Sequence, residues 1–204
     1  MSQKLIIGGD SLFAEIAHEY FTYDSRYEVV AFTVEQAFRT RDTFRGLPVV
    51  AFETVQDVYD PADHDFYAAL TYAQVNRLRQ RIAAEAKAKG YALASYVSSR
   101  AFVWRNVELG EHCFIFEDNT VQPFVTVGSN VVMWSGNHIG HHTTVRDNVF
   151  IASHAVISGS RSPKGSLERA ARWMTASKPS RSASSASRTS LRAHGTSARG
   201  PPGA

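Results

Sequence analysis

Several things are scarce in this sequence, and each shortage narrows what the chain can be. A single cysteine, Cys113, stands among 204 residues, so no disulfide framework staples the fold and a cytoplasmic setting is the expectation. No apolar run approaches the about 20 residues that a membrane-spanning helix needs. The opening from Met1 to Ala17 carries Asp10 and Glu15 and no small-residue cleavage pattern, which argues against a signal peptide. Acidic residues are nearly missing from the end: from Arg161 onward, nine Lys or Arg face only Glu168. The stretch from Met1 to Ser160 therefore holds 13 basic and 18 acidic side chains, a net −5, although the whole chain is +3. That balance supports neither a nucleic-acid partner nor membrane insertion.

What is present in abundance is a period of six. Val97, Val103, Leu109, Ile115, Val121, Val127, Met133, Ile139, Val145, Ile151 and Ile157 recur without a miss. Four residues after each comes a mostly small or medium side chain, among them Ala101, Cys113, Asn119, Val131, Asn137 and Ala155. A helix repeats its apolar positions at about 3.6 residues and a half-buried strand at 2, so this pattern is neither. It predicts a parallel β-helix, a triangular prism in which three hexads make one 18-residue coil. Coils stack at about 4.8 Å, and the two apolar positions of each hexad fill the axis. Asn119 and Asn137, one coil apart, should stack inside the prism as an asparagine ladder.

Ahead of the hexads, residues 4–9 (KLIIGG) read as a buried strand entering a glycine turn, followed by a helix from Leu12 to Phe21 with Asp10 or Ser11 as its N-cap. Residues 27–33 (YEVVAFT) read as a second strand. A βαβ opening is a usual frame for a phosphate at a helix N-terminus. Only Gly8 and Gly9 are present, however, and without the third glycine of a dinucleotide fingerprint NAD is disfavoured and a purely structural turn remains open. Two further short strands are expected at residues 47–52 and 65–70, then a helix over residues 74–89 with Val75, Leu78, Ile82 and Ala86 on one face and Gly90 as its stop. The organisation expected is thus a Rossmann-like α/β domain over residues 1–95, a β-helix over 96–160, and a basic tail over 161–204. The join near Ser95 has no flexible linker, which suggests that the two domains share a site.

Past Ile157 the hexad positions are filled by Pro163 and Arg169. A short helix over residues 167–176 fits the sequence there, but residues 177–204 are mostly Ser, Ala, Arg, Gly, Thr and Pro, a composition that reads as disordered. The abrupt change suggests that further coils were replaced by a reading-frame error or by erosion of the gene.

Four of the eight histidines, His138, His141, His142 and His154, fall in one short window of the hexads. Hexad geometry points His138 outward from a strand, puts His141 and His142 on the following corner, and puts His154 on a corner one coil up, above Gly136. Within one chain His141 and His154 stand about 15 Å apart, so they could meet only across a subunit interface. An outward imidazole suits a general base near neutral pH; the competing reading is that corner histidines serve turns and interfaces. Cys113 faces the core and is a poor nucleophile.

The runs Glu117–Phe124, Trp134–His142 and Ser153–Gly159, with Asn76–Arg79 and Gly90–Tyr96 further upstream, resemble the sialic-acid O-acetyltransferase (NeuD-like) family of hexapeptide-repeat sugar acyltransferases. Within it the likeness is nearest to nucleotide-sugar N-acetyltransferases acting on amino-dideoxysugars such as perosamine or 3-amino-fucose. The resemblance spans residues 4 to about 160. It implies a left-handed prism, a homotrimer with sites between subunits, and acetyl-CoA as cosubstrate along the coils. His141 would be the base that deprotonates the sugar amine or hydroxyl, and the Gly159 N–H an oxyanion donor. His142 takes the place of an acidic orienting partner, His138 lies beside the base, and His154 and Gly159 would border the CoA. The nucleotide sugar would rest on Gly8, Gly9, Ser11, Thr33 and Tyr72. Zinc between subunits, as in the γ-class carbonic anhydrases, would need stacked histidines. The positions two coils before His138, His141 and His154 are Phe102, Arg105 and Asp118, so no metal is expected. The alternative to a transferase is a non-catalytic nucleotide-sugar-binding or assembly remnant with an incomplete CoA site.

Overall fold

The computed structural model describes residues 2–70 and 76–157. The chain begins with β1 (Gln3–Gly8), α1 (Leu12–Tyr23) and β2 (Tyr27–Val34), then β3 (Thr43–Phe44), β4 (Leu47–Ala51), α2 (Val55–Val58), β5 (His64–Ala68), α3 (Arg77–Ala88) and β6 (Ala92–Leu93). These strands form one sheet in the order β3-β4-β2-β1-β5-β6. All of its pairings are parallel except that of β3 with β4. Parallel strands buried on both faces should read as unbroken apolar runs, and Leu5, Ile6 and Ile7 are all fully buried. The antiparallel β3 was not expected. It is a two-residue edge strand closed by Arg45 and Gly46, both at positive φ, and it is too short to carry a periodic signal.

Eleven two-residue strands follow: β7 (Tyr96–Val97), β8 (Phe102–Val103), β9 (Glu108–Leu109), β10 (Phe114–Ile115), β11 (Thr120–Val121), β12 (Thr126–Val127), β13 (Val132–Met133), β14 (His138–Ile139), β15 (Thr144–Val145), β16 (Phe150–Ile151) and β17 (Val156–Ile157). They stack as three parallel sheets, β7-β10-β13-β16, β8-β11-β14-β17 and β9-β12-β15. Every pairing joins residues 18 apart, as in Ile115 with Met133 and Val121 with Ile139. This is a parallel β-helix, and its repeated stacks fit the left-handed form. Its axis is filled by Cys113, Ile115, Val121, Val125, Val127, Val131, Met133, Ile139, Val145 and Ile151. Leu109, in the first coil, is 38% exposed because nothing stacks beneath it.

The asparagine ladder is present. Asn119 Oδ1 accepts from the Asn137 N–H (3.2 Å), and Asn137 Oδ1 accepts from the Ala155 N–H (2.8 Å). Each amide thus serves backbone groups that would otherwise be buried without partners.

The α/β sheet and the prism share one core. Phe13, Phe21 and Tyr20 of α1 pack on the outer side of the β7-β10-β13-β16 sheet, where Phe114 lies within 4.6–6.0 Å of Tyr96, Phe116, Phe13, Phe21 and Tyr20, centroid to centroid. Polar contacts rim this cluster. Asp24 Oδ2 accepts from the Tyr96 hydroxyl (2.6 Å) and the Ser99 N–H (3.0 Å). Glu117 accepts from the Tyr20 hydroxyl (2.8 Å) and the Ser135 hydroxyl (2.6 Å). Hydrogen bonds from Ser99 and Tyr96 hold the Asp24 carboxyl below the usual carboxylate range.

Corners follow a rule that the apolar period does not express. His112, Asp118, Phe124, Asn130, Gly136, His142, Asn148 and His154, every sixth residue, all have positive φ. Asn, Asp, His and Gly, which tolerate this left-handed conformation, fill seven of these eight corners, and Phe124 is the exception. The helix expected over residues 74–89 is realised as Arg77–Ala88. Residues 74 and 75 lie outside the described residues, as does everything expected past Ile157, including the tail.

Candidate active site

Order in the α/β sheet reverses at β1: β2, β3 and β4 lie on one side and β5 and β6 on the other. In such sheets the crevice beyond the carboxyl ends of the two strands at the reversal is the natural ligand position. Here it is bounded by Gly8 and Gly9 at the end of β1 and by Ala68 and Ala69 at the end of β5, with Gly8 opposite Ala68 in register. Gly9 has φ +117°, and a Cβ there would meet the Ala69 carbonyl at 3.0 Å, so the turn requires glycine. The Gly9 N–H donates to Thr33 O (2.8 Å) and the Ala69 N–H to Gly8 O (2.7 Å). Ser11 is the N-cap of α1 by backbone geometry, but its side chain makes no capping bond.

Thr33, expected as a sugar contact, is 1% exposed and donates its hydroxyl to Val50 O (3.0 Å). It braces β2 against β4 and offers the crevice no free hydroxyl, because the hydroxyl of a buried Thr is bonded to the nearest carbonyl. Tyr72 lies outside the described residues.

At the corner between β14 and β15, His141 and His142 are exposed. Gln122, one coil below, fixes the first of them: its Oε1 accepts from the His141 N–H (2.9 Å). His142 takes the left-handed corner position, φ 58°, and stacks on Phe124 with ring centroids 4.8 Å apart. The two imidazoles meet edge to face with Nδ1 to Nδ1 3.0 Å. When His141 donates from Nδ1 to a neutral His142, its Nε2 lone pair is left free to take a proton, the role an orienting carboxylate fills elsewhere. His138 is half-buried on β14, paired with Thr120 below and Val156 above. His154 sits over Gly136 at the corner between β13 and β14, so that a Cβ on Gly136 would lie 2.6 Å from its Nδ1. Gly159 lies outside the described residues. Cys113 is fully buried, its thiol directed at Gly128 O (3.2 Å) and pushed up by burial.

The glycine turn and the histidine corner are not brought together within one chain. The α/β sheet leans on the β7-β10-β13-β16 face, whereas His141 and His142 occupy the corner between the other two faces. In a triangular prism that corner is opposite.

Sequence reasoning missed a buried polar cluster between the crevice and the prism. Arg79 is fully buried and donates to Ala68 O (3.0 Å), the Tyr67 hydroxyl (3.1 Å), His112 O (2.8 Å) and Asn130 Oδ1. His112, also fully buried, accepts the Ala68 N–H at Nε2 (2.9 Å) and places Nδ1 2.8 Å from Asn130 Oδ1. Asn130 Nδ2 donates in turn to Asn148 Oδ1 (2.7 Å). Asn76 Nδ2 reaches the carbonyls of Asn130 (3.4 Å) and Asn148 (3.3 Å). Because Nε2 accepts, the Nδ1 proton is fixed and His112 is neutral. Burial first, and then the Arg79 charge, hold it well below the ordinary histidine range. The signal that could have found this cluster is the column His112, Asn130, Asn148, one residue per coil.

Among the described residues no three His, Cys, Asp or Glu side chains are grouped as a metal site, and no helix is long and apolar enough to cross a membrane. No protein-family model matches the sequence, and no curated protein matches it. Solved structures do match. The acetyltransferase domain of PglB from Neisseria gonorrhoeae is 22% identical, with a TM-score of 0.67 over 78% of this chain and 75% of that one. A variant of perosamine N-acetyltransferase from Caulobacter crescentus, solved with CoA and GDP-perosamine, is 18% identical, with a TM-score of 0.56 over 76% and 77%. WeeI from Acinetobacter baumannii is 19% identical, with a TM-score of 0.54 over 76% and 72%. At these identities the likeness is one of fold.

Proposed function

We propose that the protein is an acetyltransferase that moves an acetyl group from acetyl-CoA to an amine or hydroxyl of a nucleotide-linked sugar in the cytoplasm. The observation that carries this reading is the outward His141–His142 pair on a β-helix corner. Its hydrogen bond frees one imidazole nitrogen, in a fold that also presents a glycine turn at a sheet reversal. Two of the solved structures of similar fold carry acetyltransferase names, and one of those was solved with CoA and GDP-perosamine.

In this reading His141 Nε2 takes the proton of the acceptor as its nitrogen or oxygen attacks the thioester carbonyl. The tetrahedral intermediate collapses, the carbon–sulfur bond breaks, and the proton passes from His141 to the departing CoA thiolate. His142 is a positioning residue that keeps the proton on His141 Nδ1. The Gly159 N–H is assigned the developing oxyanion, and His154 the border of the CoA. Residues 1–95 hold the nucleotide sugar at Gly8, Gly9 and Ser11, and residues 96–160 carry the transfer.

Since the turn and the histidine corner lie on opposite sides of one prism, the site is assigned to the junction of two protomers in a homotrimer. Exposed Phe102, Trp104 and Val156 on the β8-β11-β14-β17 face, beside His138, supply apolar surface for that junction. The test is acetyl transfer to a panel of UDP-, dTDP- and GDP-linked amino sugars. His141→Ala is expected to lose about 10²- to 10⁴-fold in rate; a variant as fast as the parent protein would reject the base assignment.

A further inference from the structure

Arg79 is a buried cation without an acid. An arginine cannot shed its proton to escape burial, and an unpaired buried charge is costly. Yet its partners are a hydroxyl, a side-chain amide and two peptide carbonyls, all neutral. Among the described residues, the ion pairs of this chain leave it out. The guanidinium also lies 5.1 Å from the centre of the Tyr67 ring, a contact that favours a cation, but it supplies no counter-charge and does not by itself account for burying one so deep.

Its position does. One guanidinium bond goes to the carbonyl of Ala68, the last residue of β5, which lies opposite Gly8 in register at the sheet reversal. Near the turn, Arg41 pairs with Asp10 (3.2 Å), the residue after Gly9, and Arg45 pairs with Glu15 of α1. Those four charges cancel, and the turn lacks the third glycine of a dinucleotide fingerprint. A charge in a low-dielectric setting projects its field with little screening.

We propose that Arg79 is the source of positive potential for the phosphates of a nucleoside diphosphate at the crevice between β1 and β5, acting through space rather than by contact. This rests on the nucleotide-sugar reading above. It makes Arg79 a positioning residue, and it predicts that the charge, not the hydrogen bonds, matters to the ligand.

The test is calorimetric titration of the full chain with GDP and UDP, each compared with its monophosphate and its nucleoside. Arg79→Gln removes the charge. Asn130→Asp leaves Arg79 in place and sets a carboxylate against it at the position where the amide oxygen now accepts, so it keeps the test alive if the first variant does not fold. Both are expected to lower diphosphate affinity about tenfold and monophosphate affinity less, while leaving the nucleoside unchanged. A merely structural role would weaken all three ligands alike, and that result, or an Asn130→Asp protein binding as the parent does, would overturn the proposal. If the parent protein binds no nucleoside diphosphate, the nucleotide-sugar reading itself falls and takes this role with it.

Discussion

Acidification should loosen this protein through His112 before its carboxylates titrate. His112 is neutral in the fold because its Nε2 accepts the Ala68 N–H, and burial and Arg79 oppose a second proton. Once unfolded, the same imidazole has a pKa near 6.5. Below that value the unfolded chain takes up a proton that the folded chain refuses, so the stability present above pH 6.5 is lost as pH falls towards the depressed folded value. The slope is about 1.4 kcal/mol per pH unit, or about 2 kcal/mol between pH 6.5 and 5. Asp24, held low by Ser99 and Tyr96, contributes only below the usual carboxylate range. His18 is also shifted down by burial and acts in the same window, so the informative quantity is a difference. Urea unfolding at fixed protein concentration, from pH 7.5 to 5, should show a shallower pH dependence in His112→Gln than in the parent. The stability difference between the two proteins should change by about 2 kcal/mol across that range. Parallel curves for the two proteins would refute the buried neutral assignment.

Two further perturbations probe the frame. Phe114→Ala removes the ring shared by α1 and the prism and should cost about 3–5 kcal/mol in urea unfolding; a loss under about 1 kcal/mol would mean that the two parts do not share a core. Gly136→Ala forces a Cβ onto a left-handed residue (φ +75°) and against the His154 ring. A cost of about 1–2 kcal/mol is expected in the same assay, and a neutral result would contradict the stacking of His154 on that corner.

How legible each part was depended on the length of its signal. The hexad period runs over eleven repeats, so the prism, its coil-to-coil register and the Asn119–Asn137 ladder could be read directly from the sequence. The β1–α1–β2 opening was legible because its apolar runs are buried on both faces. The two-residue β3 and the four-residue α2 are too short to leave a pattern. For Thr33, sequence cannot tell a hydroxyl that faces a ligand from one that is bonded to a backbone carbonyl, as this one is to Val50 O. The burial of Arg79 was not foreseen because a charged residue on a helix is normally solvated, and only the tertiary partners from β5 and the prism make its burial tolerable. His112 was overlooked in favour of the denser histidine window. It belongs to a corner column whose left-handed conformation selects Asn, Asp, His and Gly, and the same selection places His142 and His154. These three histidines therefore have a backbone reason to be where they are. His141, on the same corner but not at its positive-φ position, has none.

A subunit-mixing experiment tests the intersubunit site most directly. His141→Ala subunits keep the crevice, whereas Ser11→Asp subunits keep the histidine corner and a good N-cap but oppose phosphate with a carboxylate. Each is expected to be nearly inactive alone in acetyl transfer to a nucleotide-linked amino sugar. Equal co-assembly of the two should restore about a quarter of the parental sites, because a site built by two protomers can draw an intact half from each. Mixtures no more active than the separate variants would contradict the account and put His141 and the sugar-binding crevice to work within a single chain.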